Sequence, residues 1–141
     1  MPGTGKKFDL SLVTPEGAAY EGQVEMIVVP GQIGDIGVLA RHAPLIATLR
    51  SGSTRIHPGG DAEALEFATG PGFFQVLRDR AIALVDDAVE ASKIDDARAR
   101  EQLEAARAEL EALDRGDSTG DRWQIEQRIK HAENQLAVAG R

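Results

Sequence analysis

The chain contains no cysteine. That excludes a disulfide framework and any thiolate-held zinc. The lack is compatible with a reducing compartment. Aromatic residues make up only 4% of its 141 positions, so Val, Leu and Ile must fill its core. No run approaches the ~18 consecutive apolar residues that a membrane span requires. Any association with a membrane is therefore expected to pass through another protein. Met1 to Lys7 is polar and glycine-containing, without an apolar stretch or an Arg-rich amphipathic pattern, and no targeting segment is expected there. Positive charge is in deficit. Sixteen Lys and Arg against 23 Asp and Glu give a formal net charge of −7. A nucleic-acid binder needs a basic patch to displace counterions, and anionic lipid repels an acidic chain. A basic protein partner suits it.

Catalytic constellations are missing as well. His42, His57 and His131 share no metal-ligand spacing, so no metal site is expected. No Gly-x-Ser-x-Gly elbow occurs. Thr69-Gly70-Pro71-Gly72 is not followed by Lys-Ser/Thr, so it reads as a tight turn between strands rather than a phosphate loop. Asp86-Asp87 reads as a solvated edge rather than a catalytic dyad. No catalytic residue is assigned.

What is present divides into two halves of different period. With 42% hydrophobic and 28% charged residues, the chain can build a packed core. Its length suffices for one ordinary domain or two small ones. Residues 8–88 read as short strands. Phe8, Leu10 and Leu12 alternate with polar neighbours, and Thr14-Pro15-Glu16-Gly17 signals a turn. Gln23 to Val29 is a second run, in which Val24, Met26 and Val28 are expected to share one face. Leu45 to Arg50, Thr54 to His57, Ala64 to Ala68, Phe73 to Leu77 and Ala81 to Val85 complete the set, with turn signals between them. This spacing predicts an all-β sandwich or barrel. Residues 92–139 switch to helical spacing. Leu103, Ala106, Leu110 and Leu113 form one seam, and Ile125, Ile129, Ala132, Leu136 and Ala139 another. Asp95 or Ser92 is a candidate cap for the first helix, Ser118 or Asp121 for the second, and Gly140 stands where the second ends. Two such helices with a short polar link predict an antiparallel hairpin. The expected fold is β + α: an N-terminal β-sandwich over 1–89 and a C-terminal helical hairpin over 90–141. Much of the hairpin seam is alanine, which buries little area, so the hairpin is expected to open at low cost.

The run from Gly34 to Gly52 carries the most specific pattern. Gly34 and Gly37 mark turns or close backbone approach, and Pro44 hands a loop over to the strand from Leu45. Asp35, Arg41 and His42 fall on this stretch. For His42, residue type alone leaves two readings open, a histidine satisfying nearby backbone or a contact on a partner surface. The order Gly34-Asp35-Ile36-Gly37 followed by His42-Ala43-Pro44-Leu45 resembles the epsilon subunit of the bacterial F-type ATP synthase, whose mitochondrial counterpart is called delta. Gly70-Pro71-Gly72-Phe73 resembles that family's Gly-Gly-Phe strand, and the sandwich-then-hairpin order matches it as well. The resemblance covers the chain from about Phe8 to Gly140.

The resemblance implies a non-catalytic rotor subunit of the central stalk. Its sandwich would couple the gamma subunit to the c-ring in proton-driven ATP synthesis, with Asp35, Arg41 and His42 on one loop as the contacts. Its hairpin would reach the alpha/beta catalytic hexamer and restrain ATP hydrolysis. It would sit peripherally on the cytoplasmic side of the bacterial plasma membrane, held there through partner subunits. Ile94-Asp95-Asp96-Ala97-Arg98-Ala99 resembles the motif through which some bacterial members bind ATP. That implies Ile94, Asp95, Arg98 and Ala99 as a regulatory ATP site, with no cofactor required for the coupling role. The bare chemistry offers another reading there, an Asp cap with Arg three residues on. The alternative function is a free-standing sandwich-plus-hairpin module that senses a nucleotide.

Overall fold

A computed structural model of the chain describes residues 5–140. The reading of Met1 to Lys7 rests partly on residues 1–4, outside the described residues. Among the described residues ten strands precede two α-helices. Strands β1 (Phe8–Thr14) and β2 (Gly17–Val24) form a hairpin. Its turn is set by Thr14, whose Oγ1 accepts from the Glu16 N–H and donates to the Gly17 carbonyl. Strands β3 (Met26–Gly31) and β4 (Gly34–Leu39) form the next. Then follow β5 (Leu45–Leu49), β6 (Gly52–His57), β7 (Leu65–Thr69), β8 (Gly72–Leu77), β9 (Arg80–Val85) and β10 (Ala88–Glu90).

These strands make two layers. One runs β10-β7-β6-β3-β4 and the other β5-β8-β9-β1-β2. The layers meet along their edges at one corner, where Gly31 of β3 pairs with Leu49 of β5. All partners are antiparallel except β1 and β9. The chain passes between the layers at Glu25, Pro44, Ser51, Gly70 and Asp86-Asp87. Several of these are the turn-forming residues that the sequence singles out. Gly72 is needed for a further reason. A Cβ there would lie 1.9 Å from the Leu84 carbonyl oxygen, so only glycine lets β8 lie this close to β9.

Between the layers lies one aliphatic core. Leu10, Leu12, Ile27, Val29, Leu49, Ile56 and Phe74 are shut off from solvent. The alternation in β1 puts Phe8, Leu10 and Leu12 inside, as expected. The shared face of Val24, Met26 and Val28 is not found. The chain leaves one layer at Val24 and enters the other at Met26, with the Glu25 N–H donating to the His57 carbonyl at 2.9 Å. That break resets the alternation, so Ile27 and Val29 turn inward while Met26 and Val28 lie on the outer, half-buried face. The segment after Gly34 also differs from the expected loop. It is strand β4, paired with β3 along its whole length.

Strand β10 ends at Glu90, running across the 89/90 boundary read from sequence, and a single 3-10 turn, Ala91–Lys93, follows. Helices α1 (Asp96–Asp114) and α2 (Arg122–Ala139) then pack as an antiparallel pair. Asp95 caps α1 by accepting from the Arg98 N–H, and Asp121 caps α2 by accepting from the Trp123 and Gln124 N–H groups. Ser92 and Ser118 cap neither helix. α1 stops at Gly116, where φ is +80°. There the Gly116 N–H bonds the Leu113 carbonyl and the Asp117 N–H bonds the Ala112 carbonyl, a paired C-terminal closure that glycine permits. The two helices bury Ala99, Leu103, Ala106, Ile125, Ala132 and Val138, the last on the face of α2 that also carries His131 and Asn134. Three cross-helix ion pairs flank it: Arg107 with Glu133, Arg122 with Asp114, and Arg128 with Glu109.

Candidate interaction surfaces

The Asp35 edge is built by glycine. Gly34 has φ +153°, and a Cβ on Gly31 would meet the Gly34 carbonyl oxygen at 2.7 Å. The tight turn between β3 and β4 therefore holds Ile33 out at the tip, fully exposed. Beside it, Asp35 is half-exposed but not free. Its Oδ1 accepts from Arg50 Nη2 at 3.3 Å, and its Oδ2 lies 3.7 Å from Arg55 Nη2. One carboxylate thus sits between two guanidinium groups, and the trio carries a net positive charge. A polar cavity of about 430 Å³ opens here, lined by these three residues with Ser51, Ser53 and Asn134.

Arg41 and His42 stand at the opposite end of β4, about 20 Å away by the length of a six-residue strand. The expectation that all three share one loop is therefore corrected. Arg41 adopts φ +65°, and its N–H donates to Asp79 Oδ1 at 2.7 Å. His42 is half-buried, with Nδ1 2.7 Å from the Ala43 carbonyl oxygen. This geometry supplies the backbone-satisfying reading of His42. The Arg41 side chain faces solvent.

A surface that the sequence reading passed over lies on the outer side of the β5-β8-β9 layer. Ile46 is 76% exposed and Phe73 60%, and Leu77 and Leu84 are about half exposed. Phe73 sits directly across from Leu84, and Gln75 of the same strand across from Ile46. The signal was in the sequence. Two consecutive phenylalanines in a strand must point to opposite faces. Phe74 takes the core, so the Phe73 ring is left outside.

The root of the hairpin brings Ile94, Asp95 and Arg98 together with Lys93, His131 and Gln135 around a cavity of about 220 Å³. Asp95 spends one carboxylate oxygen on the cap, 3.1 Å from the Arg98 N–H. Arg98 is exposed. Ala99 does not belong to this cluster, because it is fully buried in the helical pair. Among the described residues no group of acidic, His or Cys side chains could hold a metal ion.

Polar side chains of α2 reach the sandwich. Asn134 of α2 donates from Nδ2 to the Gly52 carbonyl at 3.1 Å and to the Thr69 carbonyl at 3.2 Å. Gly52 and Thr69 are register partners at one end of the β6–β7 ladder. His131, one turn earlier on α2, places Nδ1 3.4 Å from Asp87 Oδ2, and its Nε2 lies 3.0 Å from Gln135 Nε2. Next to Asp87, burial pushes the Asp86 carboxyl above its ordinary value. Asp87 adds to this, while His131 and a backbone hydrogen bond pull it back. Neither Asn134 nor the His131–Asp87 pair was legible in sequence, since each joins residues more than 40 positions apart.

The chain is thus a β-sandwich with a helical hairpin packed on it, an exposed apolar strip on one face and a charged Asp35, Arg50 and Arg55 trio at one edge. Residues 7–91 match the family model described as the ATP synthase, Delta/Epsilon chain, beta-sandwich domain. An ATP synthase epsilon chain of Rubrobacter xylanophilus is 35% identical over 144 aligned positions, covering 100% of this chain and 97% of the relative. A chain in the cryo-EM structure of Euglena gracilis mitochondrial ATP synthase (OSCP/F1/c-ring, rotational state 1) shares the fold. It superposes with TM-score 0.76 at 23% identity over 96% of this chain and 84% of the other. A chain of the Tetrahymena thermophila mitochondrial ATP synthase central stalk/c-ring structure gives 0.53 at 14% identity, over 63% and 70%. The chain belongs to the epsilon chains of the F-type ATP synthase, within the delta/epsilon family.

Proposed function

We propose that the chain is a non-catalytic rotor subunit of the central stalk, joining a gamma subunit to a c-ring in proton-driven ATP synthesis. The observation that carries this reading is the exposed apolar strip of Ile46, Phe73 and Leu84 on a rigid sheet. Such a strip is costly on a free monomer and marks a protein interface. Gamma takes the strip. The c-ring takes the β3–β4 tip with Ile33 and Asp35, and Arg41 with His42 contacts either partner. Asp35 meets a basic ring loop only by loosening its hold on Arg50 and Arg55. The hairpin, with mixed charge along its faces, is the element that reaches the alpha/beta hexamer and restrains hydrolysis. The subunit is peripheral on the cytoplasmic side of a bacterial plasma membrane, attached through its partners. The test is assembly with gamma and c subunits. Phe73→Asp should abolish co-purification with gamma, and Asp35→Lys should weaken retention on the c-ring. If both variants assemble and couple like the parent chain, the reading fails.

A regulatory ATP is supported by one observation, the gathering of Lys93, Asp95, Arg98 and His131 at the hairpin root. Lys93 and Arg98 suit phosphate, and Asp95 keeps one oxygen for the adenine amino group. The cavity is smaller than the roughly 300 Å³ at the low end of ligand sites, so the nucleotide would be only partly enclosed there. Titration calorimetry with ATP should show heat that Arg98→Ala removes. An equal signal from that variant rejects the site. Ala99 serves packing in this reading.

A further inference from the structure

We propose that the tip of the helical hairpin is a docking surface for a basic segment of another polypeptide, which lays an arginine or lysine side chain over the Trp123 ring. The surface belongs to the chain itself and stands whether or not the hairpin reaches a catalytic hexamer.

Helix geometry puts the ring outside. The buried stripe of α2 runs through Ile125 and Ala132. Two residues span about 200° of helical turn, so Trp123 falls on the far side of α2 from Ile125. It is 66% exposed, and among the described residues it is the one large apolar side chain of the hairpin left so open. Gln127, one turn on, lies on the same face. The two line a cavity of about 520 Å³ with Gln124, Ile125 and, from α1, Glu109. A wide, rigid aromatic ring beside an open groove is the kind of anchor on which protein interfaces concentrate their binding energy.

The groove carries the site, and the charge around it says what fits. From Glu109 to Arg128 the chain has six carboxylates and three guanidinium groups. The rest of the hairpin is balanced: residues 92–108 carry four acidic and four basic side chains, and residues 129–140 one of each. The whole negative excess of the hairpin is therefore gathered at its tip. The three arginines there are already engaged. Arg115 is shared by Asp117 at 3.1 Å and Glu111 at 4.0 Å. Arg122 is shared by Asp114 and, at 3.9 Å, Glu126. Arg128 pairs with Glu109. Asp121 spends one oxygen on the cap of α2. None of the three guanidinium groups is left over to meet an acidic partner, whereas the carboxylates outnumber them. A cation brought over the indole meets the negative face of the ring and this surplus together. An acidic polypeptide or a nucleic acid is repelled by the same field.

The chain contains a single tryptophan, so its own emission reports on this site. The probe is a short labelled peptide alternating arginine and alanine, added to the full chain. The emission of Trp123 should change as the peptide saturates, and the binding should weaken as salt rises. A matching peptide with glutamate in place of arginine should leave the emission unchanged. Anisotropy of the labelled peptide then compares variants, all at exposed positions and checked for unchanged helix content by circular dichroism. Trp123→Ala should weaken binding about tenfold. The pair Glu111→Gln and Asp117→Asn, which releases Arg115, should weaken it about threefold to tenfold. The pair Glu16→Gln and Glu63→Gln removes the same charge from the sandwich and should change it less than about twofold. The proposal is overturned if the emission does not respond at saturation, if the glutamate peptide binds equally, if Trp123→Ala binds as the parent does, or if the sandwich pair weakens binding as much as the tip pair. Sedimentation of the chain alone should show a monomer. A dimer that Trp123→Ala dissolves would make the occupant a second copy and would also overturn it.

Discussion

The sandwich and the hairpin are held together by different physics. In the sandwich, large aliphatic side chains and Phe74 are sealed between two layers. In the hairpin, half of the six fully buried positions are alanine, and the flanking contacts are ion pairs about half open to water. A buried Leu or Phe is worth far more than an exposed ion pair, which contributes about 0–1 kcal/mol. The sandwich is therefore expected to be the stiffer region and the helical pair the one that opens at lower cost. Cost of motion, rather than shape, separates the two regions.

The sharpest way to break the comparison is to damage each core in turn. Phe74→Ala should cost about 3–5 kcal/mol and bring the sandwich near its unfolding limit, measured by denaturant titration. Leu103→Ala in the helical seam should cost about 2 kcal/mol. Its signature should be local, with loss of amide protection over residues 95–139 in hydrogen exchange and an unchanged sandwich. Equal protection in both regions of the parent chain would remove the distinction altogether. Asp95→Ala should cost about 1 kcal/mol by leaving the Arg98 N–H without its cap, and should fray the first turn of α1. The smallest effect should come from Asp86→Asn. The folded-state pKa of Asp86 is raised, so its neutral form is favoured by folding. That contribution is present below the unfolded value and lost as pH rises through the raised one. The variant should therefore melt slightly higher than the parent at pH 7 and the same at pH 3.

Much of this contrast was readable in the sequence, for a physical reason. Period two in Phe8-Leu10-Leu12 and the three-and-four spacing of Leu103, Ala106 and Leu110 are local patterns, and local backbone geometry obeys them. Asp121 is one of two candidate caps for α2 because its side chain can accept from the N–H groups of the first turn. The failures have a common cause. The face of Met26 and Val28 was misjudged because the chain changes layers at Glu25, and nothing in a continuous apolar run announces a change of layer. Asp35 is expected on one contact loop with Arg41 and His42. Its partners are Arg50, in the β5–β6 connection, and Arg55 of β6, and the six-residue strand β4 carries His42 away from it. Motif position conveys order along the chain. It does not convey which charge has already been neutralised.

The corner between Gly31 and Leu49 has a mechanical consequence. Apart from the connecting segments, it is the place where backbone ladder passes from one layer to the other. Two hydrogen bonds make it, the Arg50 N–H on the Pro30 carbonyl and the Gln32 N–H on the Thr48 carbonyl. Torque applied to the Ile33 tip is carried straight along β3 and β4 into this seam. It then passes to the strands bearing Phe73 and Leu84 through a few hydrogen bonds loaded together. Elsewhere the layers are joined by the five connecting segments and by the packed core. The corner is therefore expected to share with the five chain crossings the task of keeping the two layers from twisting against each other.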